Sequence, residues 1–161
     1  MKGLILGSKY AADKMKNSGG HIINFASMAG LAPVQGLSVY TASKFGVRGF
    51  SLALAQELKS KNIAVSVVCP DATDTNMLDE QMNVAAAALT FSGKILTIKE
   101  VWEEVYNAII VKKHIELWVP QSRGIQAYLG ATFPKAANLL TGLLTKKGLK
   151  NQAKFKSKRN K

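Results

Sequence analysis

A single cysteine, Cys69, excludes any disulfide within the chain. That fits a reducing compartment, and the apolar run around Cys69 marks it as a small buried hydrophobe. Histidine is scarce too, with only His21 and His114, and no metal site is expected from them. No apolar run reaches the roughly 20 residues that a membrane span needs. The apolar start from Met1 to Gly7 stops at Ser8 and Lys9, too short for a secretory leader. No G-x-G-x-x-G loop follows a strand, so a pyrophosphate cradle on a helix N-terminus is missing from the pattern.

Acidic residues are few as well. Ten stand against 22 lysines and arginines, for a net charge of +12. The excess is uneven: residues 146–161 hold eight basic residues and no acidic one. The basic character is therefore mostly a property of the tail, whose default reading is a solvated, disordered segment. Nucleic acid is not an expected partner, because Phe155 is the only aromatic among these lysines.

What is present alternates between helical and strand patterns. A helix is expected from Gly3 to Lys16, ended by the turn Asn17-Ser-Gly-Gly20. Residues 21–25 and 62–69 are short, apolar and rich in branched side chains, which suits parallel strands covered on both faces. Between them Val47, Phe50, Leu54 and Leu58 make a helical stripe, with Gly46 and Gly49 open to close packing. Thr97-Ile-Lys-Glu100 predicts a capping box, and the helix it opens carries Ile98, Val101, Trp102, Val105 and Ile109 on one face. Residues 115–119 form a third strand. The implied fold class is α/β, a partial doubly wound parallel sheet of Rossmann-like type with C-terminal amphipathic helices.

The most informative chemistry is Tyr40-Thr-Ala-Ser-Lys44, with Ser27 thirteen residues before the tyrosine. A tyrosine and a lysine four apart on a helix share a face. An ammonium so placed favours the ionised form of a phenol. Tyr40 is thus a candidate general acid and base, and Ser27 a candidate to hold the reacting oxygen. Asn24 and Ala26, which flank Ser27, read as structural.

These residues resemble the short-chain dehydrogenase/reductase family. The run His21-Ile-Ile-Asn-Phe-Ala-Ser-Met-Ala-Gly30 is similar to its fifth strand and serine turn, and residues 40–58 to its catalytic helix. The match is close from Gly3 to about Thr75 and looser to about Pro120. The resemblance implies an NAD(P)-dependent oxidoreductase interconverting a small-molecule alcohol and a carbonyl. It implies Ser27, Tyr40 and Lys44 as catalytic residues, and Tyr40, Lys44, Pro70, Thr73 and Thr75 as contacts for NAD or NADP. It also implies a homo-oligomer in a full-length protein. The glycine-rich loop and the Asn-Ala-Gly segment of the family are absent, so the chain reads as its C-terminal, catalytic half, a truncated form with little activity alone. In Pro70-Asp-Ala-Thr-Asp-Thr75 an aspartate, Asp71, replaces the usual glycine and adds bulk and a negative charge near the expected cofactor contacts.

Three regions are expected. Residues 1–120 would form the catalytic half of a Rossmann-type domain. Residues 121–145 carry the stripes Ile125, Tyr128, Leu129, Phe133 and Ala136, Leu139, Leu140, Leu143, Leu144, suited to a helical lid or surface segment. Residues 146–161 would be the disordered basic tail. The alternative is a non-catalytic interaction or membrane-surface fragment, with 121–161 docking on anionic head groups. The expected location is cytoplasmic, with peripheral membrane contact through that segment.

Overall fold

The protein is described by a computed structural model covering residues 1–159, which leaves Asn160 and Lys161 of the basic tail outside the described residues. Three parallel strands form one sheet in the order β1 (Gly20–Phe25), β2 (Ile63–Pro70), β3 (Glu116–Val119). Helices α1 (Lys2–Met15) and α2 (Ser38–Leu58) precede β1 and β2. Between β2 and β3 lie α3 (Asn76–Gln81), a 3-10 segment (Ala85–Ser92) and α4 (Ile98–Val105), which runs on as a π-helical turn (Tyr106–Val111). The hairpin α5 (Gln121–Thr132) and α6 (Pro134–Arg159) completes the described chain.

The pleat of β2 explains both apolar layers. Successive strand side chains point to opposite faces. Val65, Val67 and Cys69 pack with Val47 and Leu58 of α2, and Val68 packs with Val101, Val105 and Ile109 on the other side. Both faces of β2 are thus covered, as its unalternating apolar run implies; β1, expected to be covered likewise, is an edge strand whose burial alternates and whose Phe25 is exposed. Ile98 and Trp102, expected on the buried face of α4, are instead 66% and 56% exposed. The apolar stripe of α4 is wider than the surface this narrow sheet offers it. The capping box of Thr97 and Glu100 forms as expected. A hydrogen bond from Lys94, then those from Thr97, hold the Glu100 carboxyl down at about 2.

Most polar groups inside the fold are paired, though Gln81 Oε1 and Trp118 Nε1 are buried without a hydrogen-bond partner. Asn24 Nδ2 donates to Ser51 Oγ at 2.9 Å, and Ser51 Oγ donates to the Val47 carbonyl at 2.7 Å. Asn24 therefore ties β1 to α2, in line with its structural reading. Ser66 Oγ donates to the His114 carbonyl at 2.6 Å, so it can only accept from His21 Nε2 at 2.7 Å. Nε2 is then the protonated ring nitrogen. Burial, and secondly Lys113, push the His21 imidazole below its usual range.

Two further expectations are corrected. Gly46 lies under the Met1 side chain, but Gly49 faces open space rather than a packed neighbour. The basic tail is not a disordered segment over the described residues; it continues α6 to Arg159. Amide, aromatic and basic side chains together hold it down. Asn151 Nδ2 donates to the Phe91 carbonyl at 3.0 Å, and Gln152 Nε2 to the carbonyls of Gln81 and Val84 at 2.9 and 3.0 Å. Phe155 packs on Phe91 with ring centroids 5.8 Å apart. Arg159 Nε reaches Asp79 Oδ1 at 3.0 Å and its Nη2 pairs with Asp74.

Candidate active site

The site sits at the C-terminal ends of β1 and β2, where an open parallel sheet leaves a crevice. Just past β1, Ser27 caps a 3-10 turn (Met28–Gly30), its Oγ accepting from the Ala29 N–H at 3.1 Å. The turn lies against α2. A side chain on Gly30 would come within 2.8 Å of the Lys44 carbonyl, so glycine is what lets the serine turn touch the helix. Tyr40 and Lys44 leave the first turns of α2 on one side, with Lys44 Nζ 5.5 Å from the Tyr40 ring centroid. Lys44 Nζ also donates to the Phe25 carbonyl at 3.3 Å. Burial lowers the Lys44 amine from its usual range, against a small opposing effect of Cys69.

Ser27, Tyr40, Lys44, Pro70, Thr73 and Thr75 all line one cavity of about 1000 Å³. Thr73 Oγ1 donates to the Asp71 carbonyl at 2.9 Å and Thr75 Oγ1 to the Thr73 carbonyl at 3.3 Å. Each hydroxyl has thus used its proton on the backbone and keeps its lone pairs free to accept. Ser27 is the converse: its oxygen accepts from the backbone and its own proton remains available.

The family model for short chain dehydrogenases matches residues 1–85. The chain belongs to the short-chain dehydrogenase family. It is 41% identical over 81 residues to the NAD(+) 15-hydroxyprostaglandin dehydrogenase of Mus musculus, covering 49% of this chain and 30% of that protein. A diacetyl reductase, (S)-acetoin forming, of Staphylococcus aureus is 37% identical over 94 residues, covering 57% of this chain and 35% of that one. This chain therefore spans about a third of the length of these curated relatives. Among solved structures, acetoin dehydrogenase from Enterobacter cloacae aligns with a TM-score of 0.59 at 28% identity, over 73% of this chain and 50% of that one. A short-chain dehydrogenase from Sphingobium yanoikuyae in complex with NADPH shares the fold, with a TM-score of 0.65 at 23% identity over 90% of this chain and 53% of its own.

In this member of the family Asp71 has a partner that sequence reasoning missed. Arg123 Nε donates to Asp71 Oδ2 at 3.0 Å, and Arg123 Nη2 to Ser92 Oγ at 3.0 Å. The Asp71 side chain is only 8% exposed. The Asp71 N–H also donates to the Val119 carbonyl at 2.8 Å, which keeps the backbone path in line with the sheet. A buried aspartate is a signal for a cation nearby. No spacing rule links residues so far apart in sequence, so Arg123 could not be singled out from the other basic residues.

Proposed function

We propose that this chain carries the proton-transfer and substrate-facing part of an NAD(P)-dependent oxidoreductase that interconverts an alcohol and a carbonyl. The observation that carries the reading is the gathering of Ser27, Tyr40 and Lys44 on one cavity wall, with the lysine charge beside the tyrosine ring. Ser27 Oγ–H donates to the substrate oxygen. Tyr40 exchanges a proton with that same oxygen, giving it in the reductive direction and taking it in the oxidative one. Lys44 keeps a positive charge where negative charge develops on the phenol oxygen as its proton leaves.

The residues present suit the nicotinamide end of the cofactor. The free lone pairs of Thr73 and Thr75 match the N–H donors of a carboxamide, and Lys44 has N–H groups left for ribose hydroxyls. A nicotinamide held there would supply or accept the hydride. Self-association into a homo-oligomer fits the exposed Leu6 and Tyr10 of α1 and Phe45 of α2, apolar groups on neighbouring helices.

The test is fluorescence titration with NADH and NADPH followed by turnover of a panel of alcohols and ketones. Nucleotide binding and turnover that vanishes in Tyr40→Phe support the reading. No binding at millimolar nucleotide supports the rival, a non-catalytic interaction fragment. A second reading concerns location: Leu139, Leu140 and Leu143 of α6 are 81%, 59% and 67% exposed, beside Lys135, Lys146 and Lys147. That pattern suits peripheral contact with an anionic bilayer. Sedimentation with phosphatidylglycerol vesicles, but not with phosphatidylcholine vesicles, would support it; no sedimentation with either would refute it.

A further inference from the structure

The cavity changes character along its length. One end holds the polar groups of Ser27, Tyr40 and Lys44. Its other walls include Met77 and Leu78 on the body and Leu129, Leu140 and Leu144 on the α5–α6 hairpin. Charged side chains on the walls are few, and the nearest, Asp71 and Arg123, neutralise each other. Uncharged polar groups, Gln126, Asn138 and Thr141, are interspersed on the hairpin side, yet the wall is mostly apolar. It rewards each methylene that leaves water.

The hairpin also shows where a ligand enters. Leu129 and Leu140 line the cavity and are still 50% and 59% exposed. A leucine that is both wall and surface marks an opening. The hairpin rim of the cavity is therefore open to solvent. A small ketone would fill only the polar end and leave these leucines wet.

We propose that the substrate is an alcohol or ketone borne on a long alkyl chain, its oxygen at Ser27 and Tyr40 and its chain along the α5–α6 hairpin. The chemical step rests on the oxidoreductase reading above; the chain site does not. The reduction balances as one hydride to the carbonyl carbon from a reduced nicotinamide and one proton to its oxygen from Tyr40.

The test is displacement of a pyrene-labelled ten-carbon alcohol from the full chain by 2-dodecanone and by 2-butanone. The longer ketone is expected to compete at least about tenfold better, since each buried methylene favours binding. Leu140→Asp and Ala137→Asp are expected to erase that preference; both positions lie on the hairpin, and an unchanged circular dichroism melt shows that the fold survives. Tyr40→Phe is expected to keep the preference and lose turnover. Equal competition by the two ketones, or a preference untouched by both aspartate variants, overturns the proposal. Chain-length preference without any turnover would count against the oxidoreductase reading while supporting the chain site. Faster uptake of 2-dodecanone from vesicles than from solution supports a bilayer source, equal uptake supports a dissolved one, and uptake from neither overturns the proposal.

Discussion

Lys44 Nζ stands 5.5 Å from the centre of the Tyr40 ring, one helical turn along α2. The two are held there for separate reasons. Gly30 seats the serine turn on the helix at Lys44, and the Phe25 carbonyl takes one of the ammonium protons. The charge is thus fixed beside the ring by the backbone of β1 as much as by α2.

Tyr40→Phe removes the exchangeable proton and keeps the ring. Turnover is expected to fall by about 10²- to 10⁴-fold, the usual worth of a positioned acid or base, with the melting temperature unchanged. Burial lowers the Lys44 amine, so its charge is lost at a lower pH than that of an ordinary lysine. Activity that needs this charge is present below that point and declines as pH rises through it. A pH–rate profile checks this: Lys44→Arg, which stays charged, should move the alkaline decline upward even if its rate is lower. An alkaline limb that does not move would disconnect Lys44 from the chemistry.

Arg123→Met leaves the Asp71 carboxylate in a pocket where its side chain is 8% exposed. Removing one partner of a buried pair costs about 3–5 kcal/mol, and the low end applies because Arg123 is itself 25% exposed. Asp71→Asn combined with Arg123→Met should regain part of the loss, because no buried charge is left alone. Urea denaturation of the two single variants and the double variant measures the coupling. Additive losses would mean that the pair contributes nothing specific.

Much of the fold was legible in local pattern. Residues 62–69 were readable as a buried strand because both faces of β2 are covered and alternation disappears, whereas residues 21–25 form the expected strand at a sheet edge that leaves Phe25 exposed. That Ser27, Tyr40 and Lys44 meet at one cavity was legible because they lie on consecutive elements with fixed spacing. The tail was misread because its charge was weighed without its partners. Asn151, Gln152 and Phe155 find carbonyls and a ring on the segment from Gln81 to Phe91, about 60 to 70 residues earlier. Those contacts have no local signature. The same holds for Asp71 and Arg123, which only the return of the chain through β3 brings together.

Cys69 is buried between β2 and α2, and burial pushes its thiol up to about 12. In the folded protein it stays a thiol at pH 8 and should resist iodoacetamide, reacting only after denaturation. The sign of the linked stability follows. An unfolded thiol ionises near about 8.5, so unfolding releases a proton between that pH and about 12. This contribution is full below about 8.5 and is lost as pH rises toward 12. Thermal melts of wild type and Cys69→Ala between pH 7 and 10 should therefore converge as pH rises. Rapid alkylation of the native protein would show that the β2–α2 layer opens.

Two glycines of α6 separate packing from propensity. Alanine in place of glycine favours a helix interior by about 1 kcal/mol wherever there is room for a methyl group. At Gly142 nothing lies within 4 Å of the added carbon, so Gly142→Ala should raise stability by about that amount. At Gly148 the added carbon would lie 2.0 Å from the Ala88 carbonyl oxygen, a backbone atom that cannot swing aside. The helix must lift from the Ala85–Ser92 segment, at an overpacking cost of about 1–3 kcal/mol, which outweighs the gain in propensity. Gly148→Ala should thus lower the melting temperature and loosen the Asn151 and Gln152 hydrogen bonds, read as faster amide exchange between Gln81 and Phe91. Equal stabilisation by both substitutions would mean that the end of α6 does not rest on that segment, and that the basic tail is free in solution after all.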